Sequence, residues 1–308
     1  MLFTVIVTFN RKKLLKECID SVLNQTYKSD KIIILNNCST DGTLDMLNSD
    51  GYFKKSNIEI VTLETNTGGA GGFYYAMKKA YSDGADWIWV MDDDCIPEKN
   101  ALEALVNASK LVDGSFFASC VFGPNNEFMN VPTLSNHKSD NGYKDWYEHL
   151  DKKIVKIEAA TFVSLLISRN SIDNCGLPHK DFFIWGDDIE YTTRLTKTYK
   201  TAYMVGDSRV VHKRVGEKAL SLVNELNKNR IKMYKYYVRN NKVIAHYYLS
   251  FSKRILASIS YFVILIKIIF VSKYKTRKII TFFKGEFGYL FGNYNRNGFK
   301  KRFKNHLD

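Results

Sequence analysis

Two glycine fingerprints are missing from the first turn of this 308-residue chain. A dinucleotide-binding oxidoreductase places G-x-G-x-x-G after its first strand and a phosphate-binding NTPase places G-x-x-x-x-G-K-[ST] there, but this turn reads Thr8-Phe9-Asn10-Arg11. It also lacks the glycine-rich, cation-bearing loop expected of a nucleotidyltransferase. The five cysteines are an odd number with no CxxC spacing, which argues against a disulfide framework or a cysteine zinc site and fits reduced cytosol. No basic leader precedes an apolar run and a small-residue cleavage site, and residues 2–7 are too short for a signal peptide. The strongest apolar run, residues 255–271, is broken by Lys267 and flanked by Lys253, Arg254, Lys273, Lys275, Arg277 and Lys278, so spanning a bilayer is disfavoured. Acidic residues nearly vanish from the tail. Residues 213–308 hold 22 Lys/Arg against 4 Asp/Glu, so of the total of +13 about −5 belongs to residues 1–212.

What is present reads as globular, at 45% hydrophobic and 25% charged residues. Short β-rich runs at residues 2–7, 31–35, 58–63 and 87–91 alternate with helical patterns. In the first of these helices Leu14, Leu15, Cys18, Ile19, Val22 and Leu23 recur at helical spacing, with Asn10 as the expected N-cap. Helices are also expected at residues 43–47, 73–81 and 98–111, the last opened by Pro97. This cadence predicts an α/β fold, a mostly parallel sheet with helices on both faces. Residues 115–122 and 154–167 predict further strands, and residues 123–153 a long polar insertion. Residues 201–205 and 209–212 read as two separate extended pieces.

Three stretches carry chemistry. Trp87-Ile88-Trp89-Val90-Met91 runs into Asp92-Asp93-Asp94, concentrating carboxylates at a strand's C-terminal tip, where open α/β sheets bind ligands. Neighbouring carboxylates repel unless a cation compensates them, and a hard divalent metal is one such cation. A polar turn leading into a helix is the plainer reading. Gly68-Gly69-Ala70-Gly71-Gly72 suits either a phosphate cradle, with Asn66 adding an amide, or a helix starting close against the sheet. Trp185-Gly186-Asp187-Asp188-Ile189-Glu190-Tyr191 combines acidic residues with aromatics, and it reads equally as the acidic first turn of a helix. His212 follows an apolar pair and by itself carries little signal.

Taken together in this order, Thr4-Val5-Ile6-Val7-Thr8-Phe9-Asn10-Arg11, Asn36-Asn37-Cys38-Ser39-Thr40-Asp41-Gly42-Thr43, the Asp triplet and residues 185–191 resemble family-2 GT-A glycosyltransferases over residues 1–215. The loop Asn66-Thr67-Gly68-Gly69-Ala70-Gly71-Gly72-Phe73 is similar to that of bacterial galactofuranosyltransferases, with rhamnosyltransferases as near relatives. The resemblance implies a Rossmann-like GT-A fold and an inverting, metal-dependent transfer, with Mn²⁺ or Mg²⁺ as cofactor. The sugar would pass from a nucleotide donor, UDP-linked favoured, to a glycan or lipid-linked glycan of a capsule, O-antigen or other surface polysaccharide. By this resemblance Asp92, Asp94 and His212 are the metal ligands, and Asp188 is the catalytic base with Asp187 as runner-up. Thr8, Asn10, Arg11, Asn37, Asp41, Asn66, Gly68, Gly69, Asp92 and Asp93 line the donor, and Trp185 and Phe183 face the acceptor. Asn37 stands where the family commonly carries Asp, and its amide can both accept from and donate to a base edge.

Residues 216–308 are expected to form a helical basic appendage, with a long helix or helix pair over 219–250. Tyr236-Tyr237-Val238-Arg239-Asn240 resembles a motif on the helix that follows the catalytic domain in this group, and it puts Arg239 forward as a contact for an acceptor phosphate. The charges around residues 255–271 predict a helix lying on the inner leaflet, which implies a cytoplasmic enzyme peripheral on the cell membrane. Burial of that helix on the catalytic domain is the alternative. The interleaved aromatic and basic residues over 282–303 fit an anionic lipid surface or a homo-oligomer contact, and no nucleic-acid partner is expected.

Overall fold

The computed structural model describes residues 1–199, 201–214 and 220–292. In chain order the elements are β1 (Leu2–Thr8), α1 (Lys12–Leu23), β2 (Lys31–Asn36), α2 (Thr43–Ser49), β3 (Ile58–Thr62), α3 (Gly68–Ser82), β4 (Trp87–Asp92), β5 (Cys95–Pro97), α4 (Ala101–Leu111) and β6 (Phe116–Phe122). They continue with β7 (Thr133–Leu134), β8 (Ile154–Ala159), β9 (Leu165–Ser168), α5 (Arg169–Cys175), α6 (Asp187–Tyr199), β10 (Tyr203–His212), α7 (Lys228–Tyr248), α8 (Phe251–Phe270) and α9 (Lys275–Leu290).

One sheet of ten strands runs in the order β3-β2-β1-β4-β9-β6-β10-β8-β7, with β5 paired to β10. Seven strands share one direction, and β5, β8 and β9 oppose them. The expected mostly parallel α/β sheet is therefore observed, with antiparallel strands added to its second half. Period-two alternation explains the two cores. Ile6, Ile32 and Ile34 face one side with Leu15, Ile19 and Leu105, while Val5, Val7, Ile33 and Leu35 face the other with Phe73, Met77 and Tyr191. Each side is covered by helices, which is why these strands read as near-continuous apolar runs.

Several boundaries differ from expectation, each for a local reason. Asn10 is not the N-cap of α1. It adopts φ +54°, and its side-chain oxygen accepts from the Thr40 amide at 2.7 Å, so Arg11 takes the cap position with no side-chain cap bond. Pro97 closes the short strand β5, and α4 begins four residues later. The two extended pieces near residues 201–212 are one strand, β10, whose pairing with β6 shifts register between Val205 and Arg209. Within the polar insertion lie β7 and two 3₁₀ turns.

The glycine run is the first turns of α3 rather than an open cradle. Gly68 has φ +73°, and a Cβ there would run into the Phe183 carbonyl, while one at Gly72 would meet Val7. Close approach governs these positions. Only Gly69 of the run faces the cavity described below.

In the tail, α7 and α9 approach closely because a Cβ at Gly285 would press on Val238. Helix α8 is not buried: Leu256 and Phe262 are each 63% exposed and Phe270 74%, and Ile268 alone in the helix is buried. No helix among the described residues is long and apolar enough to cross a membrane. Lys278, expected among the flanking charges, is fully buried and donates to the Val223 carbonyl and the Ser272 hydroxyl. Residues 293–303 of the aromatic and basic stretch lie outside the described residues, as does the expected boundary at 215/216.

Gly68→Ala should test the close-approach reading. Left-handed strain of about 1–2 kcal/mol adds to the clash with the Phe183 carbonyl, so thermal denaturation should show a melting point several degrees lower. Gly69→Ala, with nothing within 4 Å of its added Cβ, should melt like the parent.

Candidate active site

Parallel pairing puts Val7 opposite Asp92, so the β1 turn and the β4 tip sit side by side. The antiparallel pairing of β5 with β10 then sets His212 opposite Cys95, and the Lys213 amide donates to the Asp94 carbonyl at 2.8 Å. Residues far apart in the chain thus meet at one sheet edge. A third wall comes from the 181–188 segment. It is held by α7, because the buried Asn240 amide donates to the carbonyls of Phe182, Ile184 and Trp185 at 2.9, 3.1 and 2.8 Å. Phe183 and Trp185 adopt φ +64° and +63°, conformations bulky residues take only where surrounding contacts impose them.

These walls enclose a cavity of about 850 Å³. Of the residues singled out from sequence, Arg11, Gly69, Asp92, Asp94, Trp185, Asp187, Asp188 and His212 line it. Others are not on its wall. Asp93 accepts from the Thr8 hydroxyl at 2.6 Å and from Arg11 at 3.2 Å. Asn37 is buried, its oxygen accepting from the Thr67 amide and hydroxyl and its nitrogen donating to the Gly68 carbonyl at 2.8 Å. Asp41 accepts from the Thr43 hydroxyl and the Lys12 amide, and Asn66 accepts from the Gly68 amide. Phe183 stacks on Tyr236 at 4.7 Å, and Trp185 packs on Tyr234 while facing the cavity. Arg239 does not stand free as a phosphate contact, since its guanidinium donates to the carbonyls of Asp181 and Phe182 and to the Asn240 side chain.

Sequence reasoning missed Asn130, Lys213, Arg214, Asn227, Asn229 and Arg230, all on the cavity wall. Lys213 and Arg214 directly follow His212, and that basic pair was a readable signal. Asn130 and the start of α7 carried none.

Electrostatics divides the carboxylates. Burial, reinforced by Asp94 and Asp93, pushes Asp92 well above the usual carboxylate range. Asp93 is pushed up to about 6 by burial, against the pull of Arg11. Burial also acts on Asp94, but His212 and then Arg11, at 2.6 Å, outweigh it and hold the carboxyl below its ordinary value. Across the cavity burial pushes Asp188 up to about 6, and burial together with the Asp188 charge raises Asp187 further. Asp188 Oδ1 accepts from the Ile189 amide at 2.7 Å at the start of α6. Asp188 therefore stands at the helix start and on the cavity wall at once.

The donor set suits a divalent cation. Ligand atoms of Asp94, Cys95 and His212 all lie within 4.8 Å of one another. Burial pushes the Cys95 thiol well up, and its soft sulfur suits a hard divalent cation less than carboxylate oxygen does. Asp94 Oδ1 has no hydrogen-bond donor and faces His212 Nε2 at 3.0 Å, roughly the ligand-to-ligand edge of an octahedral shell with bonds of about 2.1 Å. Asp92 faces the same cavity.

The sequence profile of Glycosyl transferase family 2 matches residues 4–218. The chain belongs to that family. This transferase is similar to galactofuranosyltransferase GlfT1 of Mycolicibacterium smegmatis, 26% identical over 199 residues that cover 63% of this chain and 65% of the relative. GlfT1 of Mycobacterium tuberculosis is 25% identical, covering 64% of each chain. The transferase thus spans just under two thirds of these curated relatives. The poly(ribitol-phosphate) beta-N-acetylglucosaminyltransferase TarS of Staphylococcus aureus is 33% identical over 37% of this chain and 19% of its own. Among solved structures, the fold is shared with GalNAc-T7 in complex with UDP, GalNAc and Mn²⁺ (TM-score 0.55, 16% identity, 82% of this chain and 53% of that one). It is also shared with S. aureus TarS 1–349 in complex with UDP (TM-score 0.52, 15% identity, 98% and 75%).

A carboxylate that must be ionised to accept a proton makes transfer fall as pH drops through its pKa. Initial rates of the transferase should decline below about pH 6, with a slope approaching one in the log plot, and level off above it. Asp188→Asn should cost roughly 10²–10⁴ in kcat and leave nucleotide affinity within about twofold, read by calorimetry.

Proposed function

We propose that this transferase is an inverting, divalent-metal-dependent enzyme that moves galactofuranose from UDP-galactofuranose to a growing, lipid-linked cell-surface glycan. The observation that carries the reading is the meeting, on one cavity, of Asp92 and Asp94 from the β4 tip, His212 from the end of β10, and the Asp187–Asp188 pair from the start of α6. That the GlfT1 relatives are galactofuranosyltransferases supports galactofuranose, and UDP in both structural neighbours supports a uridine donor.

In this reading Asp188 takes the proton from the acceptor hydroxyl as its oxygen bonds to the anomeric carbon. The bond to the diphosphate breaks, its electron pair leaves with the nucleoside diphosphate, and the configuration inverts. Asp187, raised further by burial and by the Asp188 charge, is the runner-up for the same role. Asp92, Asp94 and His212 would hold Mn²⁺ or Mg²⁺, which when bound neutralises charge on the leaving diphosphate. Arg11, Arg214 and Arg230 bring further positive charge to the same cavity. Thr8, Asn10, Asn37, Asp41, Asn66, Gly68 and Asp93 bind the donor or fix the loops against which it lies. Gly69 leaves room for the donor, Trp185 offers a flat face to the acceptor sugar, and Phe183, stacked on Tyr236, is the second aromatic for the acceptor. The catalytic unit is residues 1–215 and the helical basic region residues 216–308.

The exposed apolar side chains of α8, with Lys253, Arg254 and Lys267 on the same helix, suit an anionic membrane surface on the cytoplasmic side. That surface also carries lipid-linked acceptors.

Nucleoside diphosphate release with Mn²⁺ or Mg²⁺, a lipid-linked acceptor and a panel of nucleotide sugars tests the donor. UDP-galactofuranose should give the fastest release. Preference for dTDP-rhamnose would replace this reading with rhamnosyl transfer, and release from none would sink it. For the membrane, the protein should sediment with vesicles rich in phosphatidylglycerol more than with phosphatidylcholine alone. Leu256→Asp with Phe262→Asp should abolish the difference, and no vesicle binding by the parent would overturn the assignment.

A further inference from the structure

The polar stretch between β6 and β8 contributes one side chain to the metal end of the cavity. Asn130 adopts φ +47°, a conformation that asparagine tolerates. Its Oδ1 lies 2.9 Å from His212 Nδ1, and its Nδ2 donates to the Thr161 hydroxyl at 3.1 Å. Both Asn130 and Thr161 stand on the cavity wall. An amide oxygen only accepts, so His212 Nδ1 carries the hydrogen. In the neutral ring Nε2 then holds a lone pair. With a cation bound, that lone pair and Asp94 Oδ1, 3.0 Å away, would both be ligands. His212 and Asp94 are 5% and 3% exposed, so both side chains are held in place away from solvent.

From this chain of contacts we propose that Asn130 is a positioning residue for the metal site, holding His212 in the tautomer and orientation that present Nε2 to the cation. The inference rests on the metal-dependent reading above and adds a residue to it. Metal-binding histidines as a rule donate their second ring N–H to a carbonyl or carboxylate, and losing that partner typically costs 10–100-fold in metal affinity. Here the partner is a side-chain amide steadied by Thr161, so the stretch around Asn130 is tied to the end of β10.

The test is Mn²⁺ binding to the full chain without nucleotide, followed by electron paramagnetic resonance of the free ion, with thermal melting as a check on folding. Asn130→Ala should weaken Mn²⁺ binding by roughly 10–100-fold. Asn130→Asp, whose carboxylate accepts the same hydrogen, should recover most of it, and Thr161→Val should give an intermediate loss. In a His212→Ala background, Asn130→Ala should add less than about twofold, because residues acting through one another are non-additive. Unchanged affinity in a folded Asn130→Ala, or the same factor lost with His212 absent, would overturn the role. Should Asn130→Ala fail to fold, Thr161→Val decides, and an affinity equal to the parent's in that variant would overturn the role. If the parent itself binds no Mn²⁺, the metal reading fails and takes this inference with it.

Discussion

Like charges crowded out of water are the constraint to which this molecule answers. Asp92, Asp93, Asp94, Asp187 and Asp188 are gathered around one cavity, and burial alone drives such groups toward the neutral form. The chain compensates part of that charge itself. Arg11 bridges Asp93 and Asp94, the Thr8 hydroxyl donates to Asp93, and backbone amides at the start of α6 face Asp188. At the end nearest His212, Asp94 Oδ1 faces the imidazole Nε2 at 3.0 Å.

The C-terminal helices are bound into the same arrangement. Arg239 and Asn240 donate to the carbonyls of Asp181, Phe182, Ile184 and Trp185, and the Ala70 amide at the start of α3 donates to the Phe183 carbonyl. Backbone that would relax elsewhere is thereby kept in a turn that presents Trp185 and Asp188 to the cavity. A second buried cluster supports α6 from below, with Glu190 accepting from Arg194 and from the Tyr248 hydroxyl at the end of α7. The residues resembling a helix motif after the catalytic domain therefore serve as a frame for that domain's own loop.

The fold was legible in the sequence where side-chain period and burial coincide. Residues 2–7 and 31–35 become β1 and β2 because both faces of those strands are covered. The acidic motifs were legible because each is short and local. What escaped was set by distant partners: Asn10 gives its side-chain oxygen to Thr40 instead of to a helix, Pro97 lies in a strand because β10 pairs with it, and Gly68 is needed for a carbonyl over a hundred residues away. Asn130 and Arg230 sit in stretches with no motif at all, and only tertiary folding carries them to the wall.

Trp185 lies with its indole on Tyr234 and the Arg230 guanidinium 5.8 Å from its ring, on the wall of the cavity. Trp89, by contrast, is sealed inside the sheet, donating to Ser164. The protein thus carries its own optical reporter: of these two indoles, the one whose emission answers to filling of the cleft is also the one that the strained turn holds in place, so occupancy can be watched without any label.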